Sequence, residues 1–211
     1  MSRITRTAGR FVCFVMLAGV CLHTVPAFAG TLTTTDADVA CSNTDLLQIP
    51  GQPPTWSFSA GYASFRNGTP EHFYNGVAYN SAQYGTEPIV WPDPGNILTF
   101  TLNTSVNKLG YDLSQVNTYF GHNDSGRRAL GIKVEFSKVG ADNTFFLLYD
   151  MDSAYTAPSN YGKISMTAVP ADEATGVKKV RITFEVAPGG VSEIDVFGTA
   201  TPSMGTVLLI R

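Results

Sequence analysis

The stretch that decides the fold is Gly110–Ser137, which reads GYDLSQVNTYFGHNDSGRRALGIKVEFS. It contains two runs of alternating apolar residues, Val116–Phe120 and Ile132–Phe136, with the period of two that half-buried strands show. A turn-rich polar loop, His122–Arg128, separates the two runs. We therefore predict a strand, a loop and a second strand, and the loop holds the densest set of polar recognition groups in the chain.

Similar strand patterns continue on both sides of this stretch. They are Trp56–Phe65, Ile97–Asn103, Thr144–Tyr149, Gly162–Val169, Val177–Val186 and Ser192–Phe197. No segment shows helical periodicity beyond one turn, and turn signals separate the short strands. This pattern predicts an all-β fold, an antiparallel β-sandwich of the jelly-roll type with about eight strands. Its predicted core is Phe100, Leu102, Val134, Phe136, Phe146, Ile182, Phe184 and Val196.

The first residues predict export from the cell. Arg3, Arg6 and Arg10 precede the apolar run Phe11–Leu22, and Ala27-Phe28-Ala29 supplies the small residues of a signal-peptide cleavage site. We expect a secreted or extracellular protein, at the cell surface or in the periplasm. The predicted division is a signal peptide at 1–29, an N-terminal segment with one short strand at 30–54, a β-sandwich domain at 55–198 and a C-terminal tail at 199–211.

Charge limits the possible partners, and cysteine content limits the source of stability. Without the signal peptide, 11 basic residues stand against 17 acidic ones, which gives a formal charge of −6. A nucleic-acid partner is not expected, because phosphate binding needs a basic face. Cys41 is the one cysteine outside the signal peptide, so no internal disulfide is possible and stability must come from a core. No segment of the mature chain has the length of a transmembrane span.

Two stretches carry a resemblance to a known family: Gly110–Ser137 and the later motif VSEIDVFG, Val191–Gly198. Together they resemble the galactose-binding-like jelly roll, the fold of discoidin and coagulation-factor C-type domains and of many bacterial carbohydrate-binding modules. The resemblance covers about residues 97 to 198. It implies two central strands from the first motif and the closing strand from the second. Proteins of this fold bind sugars, lipids or proteins, so it specifies a fold more than a ligand.

The resemblance also implies a structural calcium ion, with Glu193 and Asn75 as candidate ligands. Relatives usually have Asp-Gly near the start of the domain, whereas this chain has Asn67-Gly68 and Asn75-Gly76. An amide oxygen is a weaker calcium ligand than a carboxylate. On a strand Glu193 and Asp195 share one face, where two carboxylates about 7 Å apart repel unless a positive group lies nearby. The alternative to calcium is a surface ion pair between Glu193 and Lys178 or Arg181.

An enzymatic function is the least favoured of the three that we consider. Glu193-Ile194-Asp195 is similar to the Glu-Ile-Asp strand of laminarinase-like glycosidases, which need a further Glu as acid/base. Phe197 or Gly198 stands at that place. No nucleophile elbow and no zinc-ligand spacing is present. We therefore expect no enzymatic activity.

The loop after the first strand favours a binding function instead. Its side chains offer the polar contacts that sugar hydroxyls need, and an aromatic ring close by would stack on the sugar. The predicted ligand-binding residues are His122, Asn123, Asp124, Arg127, Arg128 and Tyr155, with Tyr161, Tyr84 and Trp91 as other possible platforms.

Two outcomes for the arginines separate the hypotheses. If Arg127 and Arg128 both lie buried against acidic partners, they are structural and the sugar hypothesis loses its donors. If one of them is exposed beside an aromatic ring, sugar binding is favoured. The expected partner is then a glycan or another cell-surface polymer, in an adhesion-type role. The alternative is a structural protein of the extracellular matrix or envelope that has no small ligand.

Overall fold

The computed structural model describes residues 31–36, 40–59, 63–65, 70–78, 89–122, 126–151, 153–168, 173–186 and 189–203. The described residues contain one 3-10 turn, Pro70–Phe73, and no other helix. Their strands are β1 (Thr31–Asp36), β2 (Thr55–Phe58), β3 (Ala63–Phe65), β4 (Ile89–Trp91), β5 (Ile97–Thr101), β6 (Tyr111–Gly121), β7 (Ala129–Lys138), β8 (Phe146–Asp150), β9 (Tyr155–Thr156), β10 (Tyr161–Thr167), β11 (Val177–Val186) and β12 (Val191–Ala200).

The strands form two layers in which every neighbouring pair is antiparallel. The first layer has the order β2-β5-β11-β7-β8, and the short β9 pairs with the start of β7. The second layer has the order β1-β10-β6-β12-β4-β3. A single pair, Val177 with Tyr111, joins the layers along one side. The prediction of an all-β antiparallel sandwich is confirmed.

Strands β6 and β7 are the two strands predicted from the deciding stretch, each longer than its apolar run. Strand β6 lies between β10 and β12, in the middle of its layer. Its pairing with β12 shifts register where Phe197 faces Gln115 and Gly198 faces Leu113. This bulge lets Leu113 and Val116 both face the core, although a regular strand would turn them to opposite faces.

The core lies between the layers and follows the predicted alternation. Val180, Ile182 and Phe184 of β11 are fully buried. Seven of the eight predicted core residues are buried. The eighth, Phe146, is partly exposed and stacks on Phe136 with ring centroids 5.7 Å apart, so it packs at the margin of the core.

The N-terminal segment is part of this packing. The short strand predicted in this segment is β1, which pairs with β10, and the apolar residues Leu46–Ile49 are not a strand. Residues 46 and 47 instead form a turn whose two leucine side chains lie in the core. The Leu46 N–H donates to the Val196 carbonyl at 2.8 Å, so the segment covers the edge of β12 beside its pairing with β4.

The run Trp56–Phe65 is predicted as one interrupted strand, and it forms two. Strand β2 pairs with β5 in the first layer, whereas β3 pairs with β4 in the second. The chain therefore crosses between layers here. The predicted signal peptide and residues 204–211 of the predicted tail lie outside the described residues.

Candidate functional site

One end of the sandwich carries three of the residue types expected for sugar binding. Trp91 ends β4, His122 follows β6, and Arg127 precedes β7. We call Trp91, His122 and Arg127 the Trp91 cluster. The His122 N–H donates to the Asn160 carbonyl at 2.9 Å, which fixes the chain as it leaves β6.

His122 supports the tryptophan and is not an exposed ligand group. Its side chain is buried, and its ring lies edge-on to Trp91 with centroids 5.4 Å apart. Trp91 itself is half-buried. The sequence predicted His122 as a ligand-binding residue of the loop, whereas its ring is buried beside Trp91.

Gly190 leaves the space that the Trp91 side chain occupies. A Cβ atom on Gly190 would lie 2.6 Å from the Trp91 Nε1 atom and 2.0 Å from the Ile89 Cγ2 atom. A side chain at position 190 would therefore push both residues of β4 outward. This role is not among those predicted from the sequence, where its one signal is the Gly189-Gly190 pair directly before the closing strand.

The two arginines of the loop differ in their surroundings. Arg127 is exposed, and its guanidinium carbon lies 4.9 Å from the centroid of the Trp91 ring, which is the geometry of a cation–π contact. Arg128 is half-buried and donates from Nη1 to the Pro158 carbonyl at 2.9 Å, so it ties the loop to the segment before β10. The outcome that favours sugar binding, an exposed arginine beside an aromatic ring, is the one observed for Arg127.

The other predicted binding residues are not brought to this cluster by any described contact. Asn123, Asp124 and Tyr84 lie outside the described residues. Tyr155 lies edge-on to Phe120 at 6.1 Å and packs against the core, and Tyr161 is buried. Trp91 is therefore the candidate platform at this end of the described structure.

A second group of polar residues lies on the outer face of the second layer. We call Asp45, Glu193 and Asp195 the carboxyl cluster; all three are buried. Both Glu193 oxygens accept hydrogen bonds from N–H groups. Oε2 accepts from the Asn75 backbone at 3.0 Å, and Oε1 accepts from the Gly76 backbone at 3.0 Å and from Gln48 Nε2 at 3.2 Å.

The two aspartates hold the N-terminal segment in a similar way. Asp195 Oδ2 accepts from the Ser42 backbone at 3.0 Å and from the Tyr119 hydroxyl at 2.8 Å. Asp45 Oδ1 accepts from the backbone of Leu47 at 2.8 Å and from that of Val196 at 3.3 Å. The aspartates thus join the segment to β6 and β12.

Burial raises the pKa of each carboxyl group in this cluster. Desolvation, opposed by the hydrogen bond from Gly76 and increased by the charges of Asp195 and Asp45, raises the pKa of Glu193 from 4.5 to about 9. Desolvation is also the leading cause that raises the pKa of Asp45 to about 6 and that of Asp195 above its usual value. Burial therefore disfavours the charged form of Glu193, whereas the three N–H donors that face its oxygens favour it.

These contacts do not fit a calcium ion, which binds six to eight oxygen atoms. The groups that face the Glu193 oxygens are N–H donors, and Asn75 Oδ1 accepts from the Val77 backbone at 2.9 Å. Among the described residues, no group of three or more His, Cys, Asp or Glu side chains could hold a metal ion. Glu193 and Asn75 are joined by a hydrogen bond from the Asn75 backbone, and calcium binding by the two residues stays a prediction.

The alternative of a surface ion pair for Glu193 is wrong, because its side chain is fully buried. Lys178 pairs with Asp142 at 2.5 Å, and Arg181 pairs with Glu135 at 2.8 Å. Both cations lie on β11 in the other layer. The register turns them outward there, away from β12.

A groove of about 310 Å³ lies on the outer face of the first layer. Its lining includes Ser57, Thr99, Phe145 and Arg181. The Arg181 guanidinium carbon lies 3.6 Å from the Phe145 ring centroid while Glu135 accepts from its nitrogens. Arg181 in the groove therefore already contacts the Phe145 ring and the Glu135 carboxylate.

No protein-family model and no curated protein matches the sequence. The structure is similar to CpGH89CBM32-6 produced by Clostridium perfringens, with 12% identity, 73% of this chain and 98% of that chain covered, and a TM-score of 0.47. It is also similar to CpGH89CBM32-4 from the same organism, with 16% identity, 68% and 94% covered, and a TM-score of 0.41. A xylan-binding domain from CBM 22 is similar at 12% identity, with 80% and 100% covered and a TM-score of 0.39.

The names of these solved structures describe carbohydrate-binding domains. Within the described part of the chain, no helix has the length and hydropathy needed to cross a membrane.

Proposed function

We propose that this protein is a secreted, non-catalytic β-sandwich protein that binds carbohydrate at the Trp91 cluster, in an adhesion-type role. The observation that carries the proposal is the exposed Arg127 guanidinium 4.9 Å from the half-buried Trp91 ring. An indole offers an apolar surface for the C–H face of a sugar ring. A guanidinium carries several N–H donors, and sugar hydroxyls can accept hydrogen bonds from such groups.

The burial of the carboxyl cluster supports the non-catalytic part of the proposal. Glu193 and Asp195 are the pair that resembles a glycosidase strand, and both are fully buried beneath the N-terminal segment. A catalytic carboxyl group must reach the glycosidic bond of its substrate. Both Glu193 oxygens accept hydrogen bonds from backbone N–H groups, so this side chain stabilises the fold.

A glycan array probed with the purified secreted protein tests the proposal. We expect binding to a limited set of glycans, and Trp91→Ala should abolish it. Trp56→Ala is the matched control, because Trp56 lies on β2 in the other layer and is 36% exposed. Loss of binding in both variants, or retention in Trp91→Ala, would contradict a site at Trp91.

Fluorescence gives a second readout, because the chain has two tryptophans. In Trp56→Phe the emission comes from Trp91 alone, and we expect the glycans found on the array to change it in a saturable way. Arg127→Ala should weaken this binding while leaving the melting temperature unchanged. If the correctly folded protein binds no glycan on the array, the alternative of a structural envelope or matrix protein is favoured.

A further inference from the structure

The Gln48 side chain lies between two oxygen atoms of the kind that bind cations. Its Nε2 atom donates to the Tyr74 carbonyl at 3.2 Å and to Glu193 Oε1 at 3.2 Å. Carbonyl and carboxyl oxygens are the atoms that a calcium ion collects. Here an amide nitrogen contacts both of them.

The surroundings of Gln48 are tightly packed. A Cβ atom on Gly76 would lie 3.1 Å from Gln48 Nε2 and 3.2 Å from Gln48 Oε1, so the amide rests directly against the glycine backbone. Gly76 has a φ of 78°, in the left-handed region that favours glycine. Both features keep residue 76 small and hold the Gln48 amide against the loop.

We infer that the Gln48 side chain takes the place of a cation, and that Gln48, Tyr74, Asn75, Gly76 and Glu193 form a metal-free clasp. The clasp joins three separate segments of the chain. The bond from Gln48 to Glu193 spans 145 positions of sequence, and the bond from Asn75 to Glu193 spans 118. A link between such distant segments has the effect that a structural ion or disulfide has in other small secreted domains. This inference does not depend on carbohydrate binding.

Thermal unfolding of the purified secreted protein tests the clasp. We expect the same melting temperature in EDTA and in millimolar calcium chloride. A ligand that binds the folded state alone raises the melting temperature. A fall in EDTA, or a rise in calcium, would therefore overturn the inference.

Gln48→Met tests the two hydrogen bonds directly, because methionine keeps the length of the side chain and removes both donors. We expect a melting temperature lower by roughly 3 to 8 °C in both buffers, since two buried acceptors lose their partner. Gln52→Met, at a half-buried position four residues further on, is the control and should shift it by less than half as much. An unchanged melting temperature in Gln48→Met would contradict the clasp.

Gln48→Glu distinguishes an amide from a metal ligand at this position. The substitution places an oxygen where Nε2 stands, opposite the oxygens of Tyr74 and Glu193. In EDTA it should destabilise the protein more than Gln48→Met does, and it alone should regain stability when calcium is added. A wild-type protein that gains stability in calcium while Gln48→Glu does not would assign the metal to the native site.

Discussion

Gly190 shows how a residue without a side chain can control a site. Adding one methyl group, in Gly190→Ala, would require Trp91 and Ile89 to move, because the new Cβ would lie within 2.6 Å of both side chains. We expect a loss of roughly 1 to 3 kcal/mol in the free energy of unfolding, as for other overpacked positions. Denaturant unfolding measures this loss, and a red shift of the Trp91 emission in the Trp56→Phe background would report the moved indole.

The comparison for Gly190→Ala is Gly140→Ala. Gly140 has a φ of 81° and nothing within 4 Å of an added Cβ, so its substitution strains the backbone without displacing a neighbour. We expect a cost of about 1 kcal/mol and no change in Trp91 emission. An equal emission change in both variants would mean that position 190 has no particular role beneath the indole.

At the scale of elements, the N-terminal segment protects the edge of β12. Asp45 and Leu46 bond to both backbone groups of Val196, and Leu47 lies in the core. A chain that begins at Thr55, the predicted domain boundary, would expose this edge and leave an apolar gap. We expect it to associate or to fail to fold, because unpaired strand edges recruit other chains. Size-exclusion chromatography and circular dichroism measure both outcomes.

A chain that begins at Ala40 provides the control. It lacks β1, whose described contacts are with β10, and it keeps Asp45, Leu46 and Gln48. We expect a monomer with a modestly lower melting temperature. If the chain from Thr55 melts as cooperatively as the chain from Ala40, residues 55–198 are a complete domain and the segment is dispensable.

The same elements show how much the sequence could predict. Alternation identified β6, β7, β11 and β12, because each buries one face and the apolar side chains mark it. It did not identify β1, which reads TLTTTD and has few apolar side chains. It also could not show that Glu193 is buried, because a carboxyl group on an outward face is normally exposed. Burial there depends on residues 40–48 and 74–76 covering the face, which are contacts between distant segments.

For the whole molecule, the carboxyl cluster predicts an unusual dependence of stability on pH. The folded protein raises the pKa of Glu193 to about 9 and that of Asp45 to about 6, so it holds these protons more tightly than the unfolded chain does. Their stabilising contribution is complete below about pH 4 and is lost as the pH rises through the folded pKa values. In EDTA, we expect the destabilisation caused by Glu193→Gln to shrink between pH 5 and pH 9.

Asp142→Asn is the contrasting variant. A hydrogen bond from Lys178 is the first cause that holds the pKa of Asp142 below its usual value, so its stabilising effect is present above the unfolded pKa and is lost in acid. The gap between this variant and the native protein should therefore not shrink as the pH rises. Melting temperatures measured at matched pH for both variants decide the comparison, and a Glu193→Gln gap that widens with pH would contradict the buried neutral carboxyl group.

The position of β6 has a consequence for the order of folding. This strand lies near the middle of the sequence, yet its two neighbours, β10 and β12, both come later in the chain. The second layer cannot close until residue 200 is available, and pairings between such distant strands form slowly, on a scale of about milliseconds to seconds. We therefore expect the second layer to stay open until the last strand has been made, so that the pairing of β12 is the step that completes the native state.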